Sequence, residues 1–322
     1  MTEFEFMQRD LGSERLSRLA ADGVYFGTSS WKYPGWLGGV YTRDRYIWRG
    51  RFSTTRFERL CLSEYAETFK TVCVDAAYYT FPTEHGVREL DARVPDDFRF
   101  AFKVTGDITL KRFPGLDRFG PRAGGENANF LNADLFADAF LAPCAVLGAK
   151  LGLMIFEFSR FGPEEFRRGR EFVEQLDQFL ARLPAGWRYG VEIRNATFLH
   201  PEYFETLARH GVAHVFNSWT DMPPVNEQIR LSEALPSAPF TAARFLLRPG
   251  RRYAEAVQRF SPYDRLQDPY SEGVEAGVRL ARQERQDKGQ RPTFLYVNNR
   301  FEGNAPQTIR RMLDGLEATS SP

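Results

Sequence analysis

The sequence predicts an α/β fold: a single (β/α)8 TIM-type barrel with long loops after its first and third strands. Three observations predict it. Eight short apolar runs of strand length recur along the 322 residues. Amphipathic stretches of helical spacing lie between them. Neither an internal repeat nor a low-complexity linker divides the chain, so its length suits one large barrel as well as two smaller domains. An open doubly wound sheet is the competing architecture. It would want a Gly-rich dinucleotide turn after the first strand, and Gly27-Thr28-Ser29-Ser30-Trp31 is not one. The barrel domain is set at 23–318, between an N-terminal extension at 1–22 and a flexible C-terminal tail at 319–322.

The predicted strands are 24–30 (VYFGTSS), 71–77 (TVCVDAA), 98–105 (FRFAFKVT), 150–158 (KLGLMIFEF), 187–194 (WRYGVEIR), 211–218 (GVAHVFNS), 240–248 (FTAARFLLR) and 292–299 (PTFLYVNN). Each is rich in β-branched or aromatic residues and bounded by Gly, Pro or polar residues. Helices are predicted over 52–68 and over 164–183, where Phe166, Phe172, Leu176, Phe179 and Leu180 share one side. Pro201 opens a short helix to 209, and a highly charged helix covers 273–288. The last helix, 304–316, has Asn304 placed as N-cap and Pro306 in its first turn. The loop 31–50 is rich in aromatics and the loop 108–128 in Gly and charge. Loops of this length serve as active-site lids or are tolerated insertions.

Hydrophobic residues make up 43% and charged residues 26%, which excludes a disordered chain. Lys and Arg number 43 against 42 Asp and Glu, so the net charge of +1 provides no global field to attract nucleic acid or an anionic membrane. The cysteines Cys61, Cys73 and Cys144 are odd in number and far apart, which points to buried free thiols rather than disulfides or a zinc ribbon. No signal peptide or apolar membrane span is visible, so a cytoplasmic protein is expected.

In such a barrel the chemistry sits at the strand C-terminal ends. Side chains two apart share a face, so Glu192 and Arg194 point one way while Tyr189, Val191 and Ile193 point the other. The same alternation separates Lys103 and Thr105 from Phe98, Phe100 and Phe102. The apolar face meets the helices, so Glu192, Arg194 and Lys103 face the barrel interior. There they form either an active site or an ion network that serves packing alone. In the first reading Glu192 is the general acid or base. Lys103 holds an oxyanion or phosphate, or acts as an amine nucleophile, and Asp75 is a second carboxylate. Ser29, Trp31, Tyr79, Arg194, Arg244, Arg248, Asn298 and Asn299 are the expected substrate-binding residues.

No cofactor is predicted. The four histidines, His85, His200, His210 and His214, lack ligand spacing, and His214 reads as a satisfied core residue. A Mg2+ held by Asp75, Glu157 and Glu192 stays open. The turns Arg248-Pro249-Gly250-Arg251-Arg252 and Asn298-Asn299-Arg300, ahead of Asn304, suit an anion site or, equally, a solvated basic turn plus a helix cap. Trp31, Tyr33, Trp36, Tyr41, Tyr78, Tyr79 and Phe81 suit stacking on a sugar or base, or packing of the loops themselves. Arg167, Arg168 and Arg170 read as a solvated basic face.

Several of these pieces occur together in a known order. The GTSSW of 27–31 with Tyr33, Trp36 and Tyr41, the run 57–81 ending in DAAYYTFP, and the FKVT around Lys103 are three of them. LGLMIFEF, VEIRN, RFLLRPG and YVNNRFEGNAP follow. Over roughly 23–316 the chain resembles the YecE-like family, domain of unknown function 72. The resemblance implies a single (β/α)8 barrel with a cleft at the strand C-termini, and no reaction. Trp31, Lys103, Glu192, Arg194, Arg244, Asn298 and Asn299 match its motif positions. The chain departs from the family pattern in four places. Leu110 stands for the His of an ITH motif and Glu157 for the Gln of FQLP. Asn195 stands for the His of an E-R-H motif, and Pro249 precedes Gly250 in the RxHG turn.

The expectation is an enzyme acting on a small polar, anionic or sugar-like substrate. The rival readings are a binding barrel for single-stranded nucleic acid or another phosphate-bearing ligand, and a protein-interaction scaffold.

Overall fold

The computed structural model describes residues 12–233, 235–286 and 291–318. The tail expected at 319–322 and the end of the helix predicted over 273–288 lie outside the described residues. Eight parallel strands form the barrel: β1 (Val24–Thr28), β2 (Thr71–Val74), β3 (Arg99–Lys103), β4 (Leu151–Phe158), β5 (Tyr189–Ile193), β6 (Ala213–Ser218), β7 (Thr241–Phe245) and β8 (Thr293–Val297). Each pairs with the next, and β1 pairs with both β8 and β2, which closes the ring. Gly27 permits the closure: a Cβ at that position would collide with the Thr71 carbonyl of β2.

All eight expected strands are present, and each is shorter than expected. The 71–77 run leaves the ladder at Asp75, where a 3-10 turn, Asp75–Tyr78, begins. The 240–248 run stops at Phe245, and the amides of Leu246 and Leu247 turn back onto the Ser218 carbonyl. Strand tips peel from the ladder at one end, and the backbone there is free to aim side chains into the mouth.

The pleat sorts the side chains as the alternation requires. Cys73, Ala101, Leu153, Ile155, Ala213, Val215, Ala242, Phe294 and Tyr296 fill the interior below the mouth. Small alanines face large rings there, so the layers interlock. Phe98, Phe100, Phe102, Phe156, Phe158, Val191 and Ile193 face outward and are buried under helices. Each such burial contributes about 1.5–3 kcal/mol.

The α-helices of eight residues or more are α1 (Ser13–Ala21), α2 (Thr54–Thr68), α3 (Glu84–Asp91), α4 (Gly169–Leu180), α5 (Pro201–Arg209), α6 (Val225–Ser232), α7 (Tyr253–Phe260), α8 (Ser271–Gln286) and α9 (Ala305–Ala318). Within the expected N-terminal extension, α1 buries Leu16 and Leu19 in the main core and pairs Arg15 with Asp314 and Glu317 of α9. The helix predicted over 164–183 begins only at Gly169. Before it, Glu165 turns back to accept the Gly162 amide at 2.9 Å, and Phe166 enters the core from this turn. The helical spacing of Phe166 thus reports burial rather than helix.

The two long loops are ordered. In the first, Trp36, Tyr41 and Tyr46 are buried. The buried Glu64 of α2 accepts the Thr42 amide at 2.8 Å, the Thr42 hydroxyl at 2.6 Å and the Tyr46 phenol. These aromatics pack the loop onto the barrel. The three cysteines are buried and free. Among the described residues no helix is long and apolar enough to cross a membrane.

Candidate functional site

The strand C-terminal ends carry a run of alternating charges. Lys103, the last residue of β3, is ion-paired with Glu157 of β4. Glu157 lies 3.9 Å from Arg194, which donates to Glu192 Oε1 at 2.5 Å. Arg244 of β7 donates to Glu192 Oε2 at 2.9 Å and to Asp75 Oδ1 at 2.6 Å. Strand register explains the order. Glu157 and Glu192 are direct partners on β4 and β5. Two adjacent buried carboxylates repel, and the guanidinium of Arg194 between them offsets that.

Burial and charge set the proton affinities. Burial alone would raise the Glu157 carboxyl, but Lys103 and Arg194 outweigh it and hold it down at about 2. Burial would likewise lower Arg244, and Asp75 and Glu192 reverse this, fixing its charge firmly. The Cys73 thiol, 3.4 Å from Asp75, is pushed well up by burial and by the Asp75 charge, so it remains a neutral donor.

The two ends of the run differ from its middle. Glu192 is fully buried and both of its oxygens are held by guanidinium groups. Asp75 is 30% exposed and Lys103 15% exposed. Their strand neighbours Val74 and Phe102 are register partners, so the two ends follow one another around the ring. Aromatic rings back the cations: Lys103 stands 3.7 Å over Tyr78, and Arg194 3.7 Å over Trp219.

The other sequence-predicted residues spread around this run. Ser29 and Trp31 are buried beyond β1, and Ser29 Oγ and Trp31 Nε1 have no partner among the described residues. Tyr79 is exposed at the rim, with Arg118 5.2 Å over its ring. Asn298 accepts the Arg300 amide at 3.0 Å. Asn299 is turned toward the framework, accepting Trp36 Nε1 at 3.1 Å and the Ala305 amide at 2.8 Å. Arg248 is set apart: it is exposed, 3.9 Å from Asp268 and stacked at 5.0 Å on Tyr270.

Of the two readings of the last loops, the cap reading matches the start of α9. Asn304 Oδ1 accepts the Gln307 amide, and Asn299 accepts that of Ala305. Arg251 is buried and tied to Asp268 and to the Phe301 carbonyl. The carboxylates named for Mg2+ do not form a ligand set, because Arg194 and Arg244 are threaded between them. Among the described residues no three His, Cys, Asp or Glu side chains converge to hold a metal. His214 lies on the outer face of β6, 3.0 Å from the Tyr203 phenol and 3.3 Å from Gln228.

Sequence reasoning missed the pairing of Glu157 with Lys103 and the stacking of Arg194 on Trp219, and it had Arg300 only as one member of the 298–300 turn. The signal for Glu157 was present: it shares the inward face of Leu153 and Ile155, as Glu192 shares that of Gly190. Leu110, where the family pattern has His, packs with Tyr78 and Phe113 beside the mouth. Asn195 ties the neighbouring loop, exchanging hydrogen bonds with the Phe161 backbone at 2.9 and 3.1 Å.

Comparison with known proteins agrees with this architecture. The model of the family described as "Protein of unknown function DUF72" matches residues 25–322. The chain is 26% identical over 226 residues to the UPF0759 protein YecE of Escherichia coli K12, covering 67% of this chain and 65% of that protein. The YecE protein of Escherichia coli O157:H7 is 26% identical over 222 residues, 69% of this chain and 62% of its own length. The chain therefore spans less than two thirds of these relatives. A DUF72 family protein of Enterococcus faecalis V583 superposes with a TM-score of 0.59 at 18% identity, over 91% of this chain and 95% of its own. One of Thermotoga maritima MSB8 gives 0.57 at 19% identity, over 91% and 99%. At these identities the likeness is one of fold.

Proposed function

The chain belongs to the DUF72 family, and from that premise we propose that it is an enzyme that moves a proton on a small polar, anionic or sugar-like substrate at the strand C-terminal face. The observation that carries this reading is that Asp75 and Lys103 follow register partners on adjacent strands, with no ion pair between the two among the described residues. An acid and an amine follow one another around the mouth, each held from behind by another partner and each the more open end of the run. Asp75 is the carboxylate that takes or returns the proton, because its Oδ1 is anchored by Arg244 while the side chain still reaches solvent. Lys103 stabilises the negative charge that develops on a substrate oxygen when the proton leaves carbon. Glu192 acts through Arg244 and Arg194 as a positioning residue, which departs from the acid/base role the sequence alone suggests. Trp31 and Ser29 supply donors beside β1.

The test is wash-in of deuterium from D2O into carbon-bound positions of a panel of sugar phosphates and 2-hydroxy acids, followed by proton NMR. Exchange is expected with the native chain, lost in Asp75→Asn and slowed in Lys103→Met. Undiminished exchange in Asp75→Asn would remove the assignment.

A further inference from the structure

The inner run of charges is balanced, with Lys103, Arg194 and Arg244 against Asp75, Glu157 and Glu192. Each of these cations already has an acid, so the run as a whole offers no net charge to hold an anionic group in place. Binding of an anion at this face calls for a cation outside the balance. Arg300 is one.

Arg300 follows β8 by three residues and is half-buried. Its backbone amide is fixed by the Asn298 side chain at 3.0 Å, and its guanidinium lies 4.7 Å over the Tyr253 ring. Its Nε is buried with no hydrogen-bond partner among the described residues. Stacking on a ring leaves the in-plane N–H fork free, and that fork matches the geometry of an oxyanion. The surroundings are built rather than loose. Tyr33 packs edge-on to Tyr263 at 5.6 Å and against Trp36 at 4.9 Å. Gly35 lets this loop touch the segment after α7, since a Cβ there would collide with the Pro262 carbonyl. Tyr33 also links Arg300 to the acid of the mouth. Burial pushes its phenol up to about 12, with Arg300 pulling it down and Asp75 pushing it up, so both charges are within its reach.

We propose that Arg300 is the anion receptor of the mouth, taking the phosphate or carboxylate group of a substrate whose reacting end lies at Asp75 and Lys103. The inference rests on the proposed proton-transfer reading only for where that reacting end lies. The helix α9 amides play no part, because Asn304 and Asn299 occupy them.

The experiment is titration of the full chain with inorganic phosphate and, separately, with acetate at constant ionic strength. Binding is read from the Nε–Hε NMR signal of Arg300, identified by its absence in Arg300→Lys. A saturable shift is expected with at least one ion. Calorimetry should show binding weakened at least about tenfold in Arg300→Gln and less in Arg300→Lys. Preference for phosphate assigns a phosphate ester, and preference for acetate a carboxylate. The proposal is overturned if neither ion saturates, if Arg300→Gln binds like the native chain, or if Lys103→Met alone loses binding. Intact phosphate binding alongside failed deuterium exchange would remove the acid/base reading and leave Arg300 its role. The converse would remove Arg300 alone.

Discussion

Asp75 and Lys103 follow the register partners Val74 and Phe102 on adjacent strands, yet each is paired away from the other, Asp75 with Arg244 and Lys103 with Glu157. Direct pairing would neutralise both. Each paired to a different neighbour, both keep their charges at the mouth. Lys103→Met should therefore do two things. It removes the charge that the proposed reading sets beside a reacting oxygen, and it leaves Glu157 with Arg194 as its nearest remaining cation.

The second effect has a defined pH signature. The Glu157 carboxyl in the folded chain lies at about 2, below its usual 4.5, because Lys103 and Arg194 outweigh burial. A depressed carboxyl contributes stability that is complete above the unfolded value and is lost as pH falls toward the folded one. The window is thus about pH 4.5 down to 2, and the contribution is on the order of 3 kcal/mol. Lys103→Met should shift the loss to higher pH in denaturant titrations. An unchanged acid profile would contradict the pairing.

His214 imposes a second acid limit. Burial lowers it from 6.5 to about 4, against smaller upward pulls from Gln228 and Glu192. The neutral ring is favoured in the folded chain. Its contribution is therefore complete above pH 6.5 and declines as pH falls toward 4. His214→Gln should flatten stability across that interval, read by urea unfolding at a series of pH values.

Glu192→Gln keeps the shape but removes the charge that two buried guanidinium groups share. Breaking such a pair typically costs about 3–5 kcal/mol. The expected result is a large drop in denaturation midpoint. A variant of native stability that has lost deuterium exchange would instead return Glu192 to the acid/base role.

Gly35→Ala tests the joint between the first and seventh loops. A methyl group at that position meets the Pro262 carbonyl, and overpacking of this kind costs about 1–3 kcal/mol. The barrel core does not depend on this contact. Phosphate binding should weaken while far-UV circular dichroism stays native.

Much of this architecture was legible in the residues, and the reasons are local. Strand position follows from alternation, and the outward Phe98, Phe100 and Phe102 force Lys103 inward whatever the rest of the chain does. The same argument brings Glu192 and Arg194 to the interior. Pairing was not legible, because it depends on register between strands far apart in sequence. Nothing near Glu157 shows that Ile155 stands beside Lys103. The aromatic first loop suited a ligand or its own packing equally, and Tyr41 follows the second reading. Tyr41 and Tyr46 carry polar tips suited to a ligand, but those tips are taken by the Trp31 carbonyl and by Glu64. Arg300 was legible only as a member of the 298–300 turn, because its lack of an acid partner among the described residues shows only in the folded arrangement.

The alternation of charge around the mouth constrains how this protein can drift over generations. Each inner member serves two neighbours, so reversing one sign cannot be rescued by reversing a single other. Reversing Glu192 alone, for example, would set three cations side by side. Change at the open ends is cheaper, since Asp75 and Lys103 each answer to one neighbour in the run. Descendants with new substrates should therefore differ first at those two positions and at the loops above them, while the four charges between stay locked as a block.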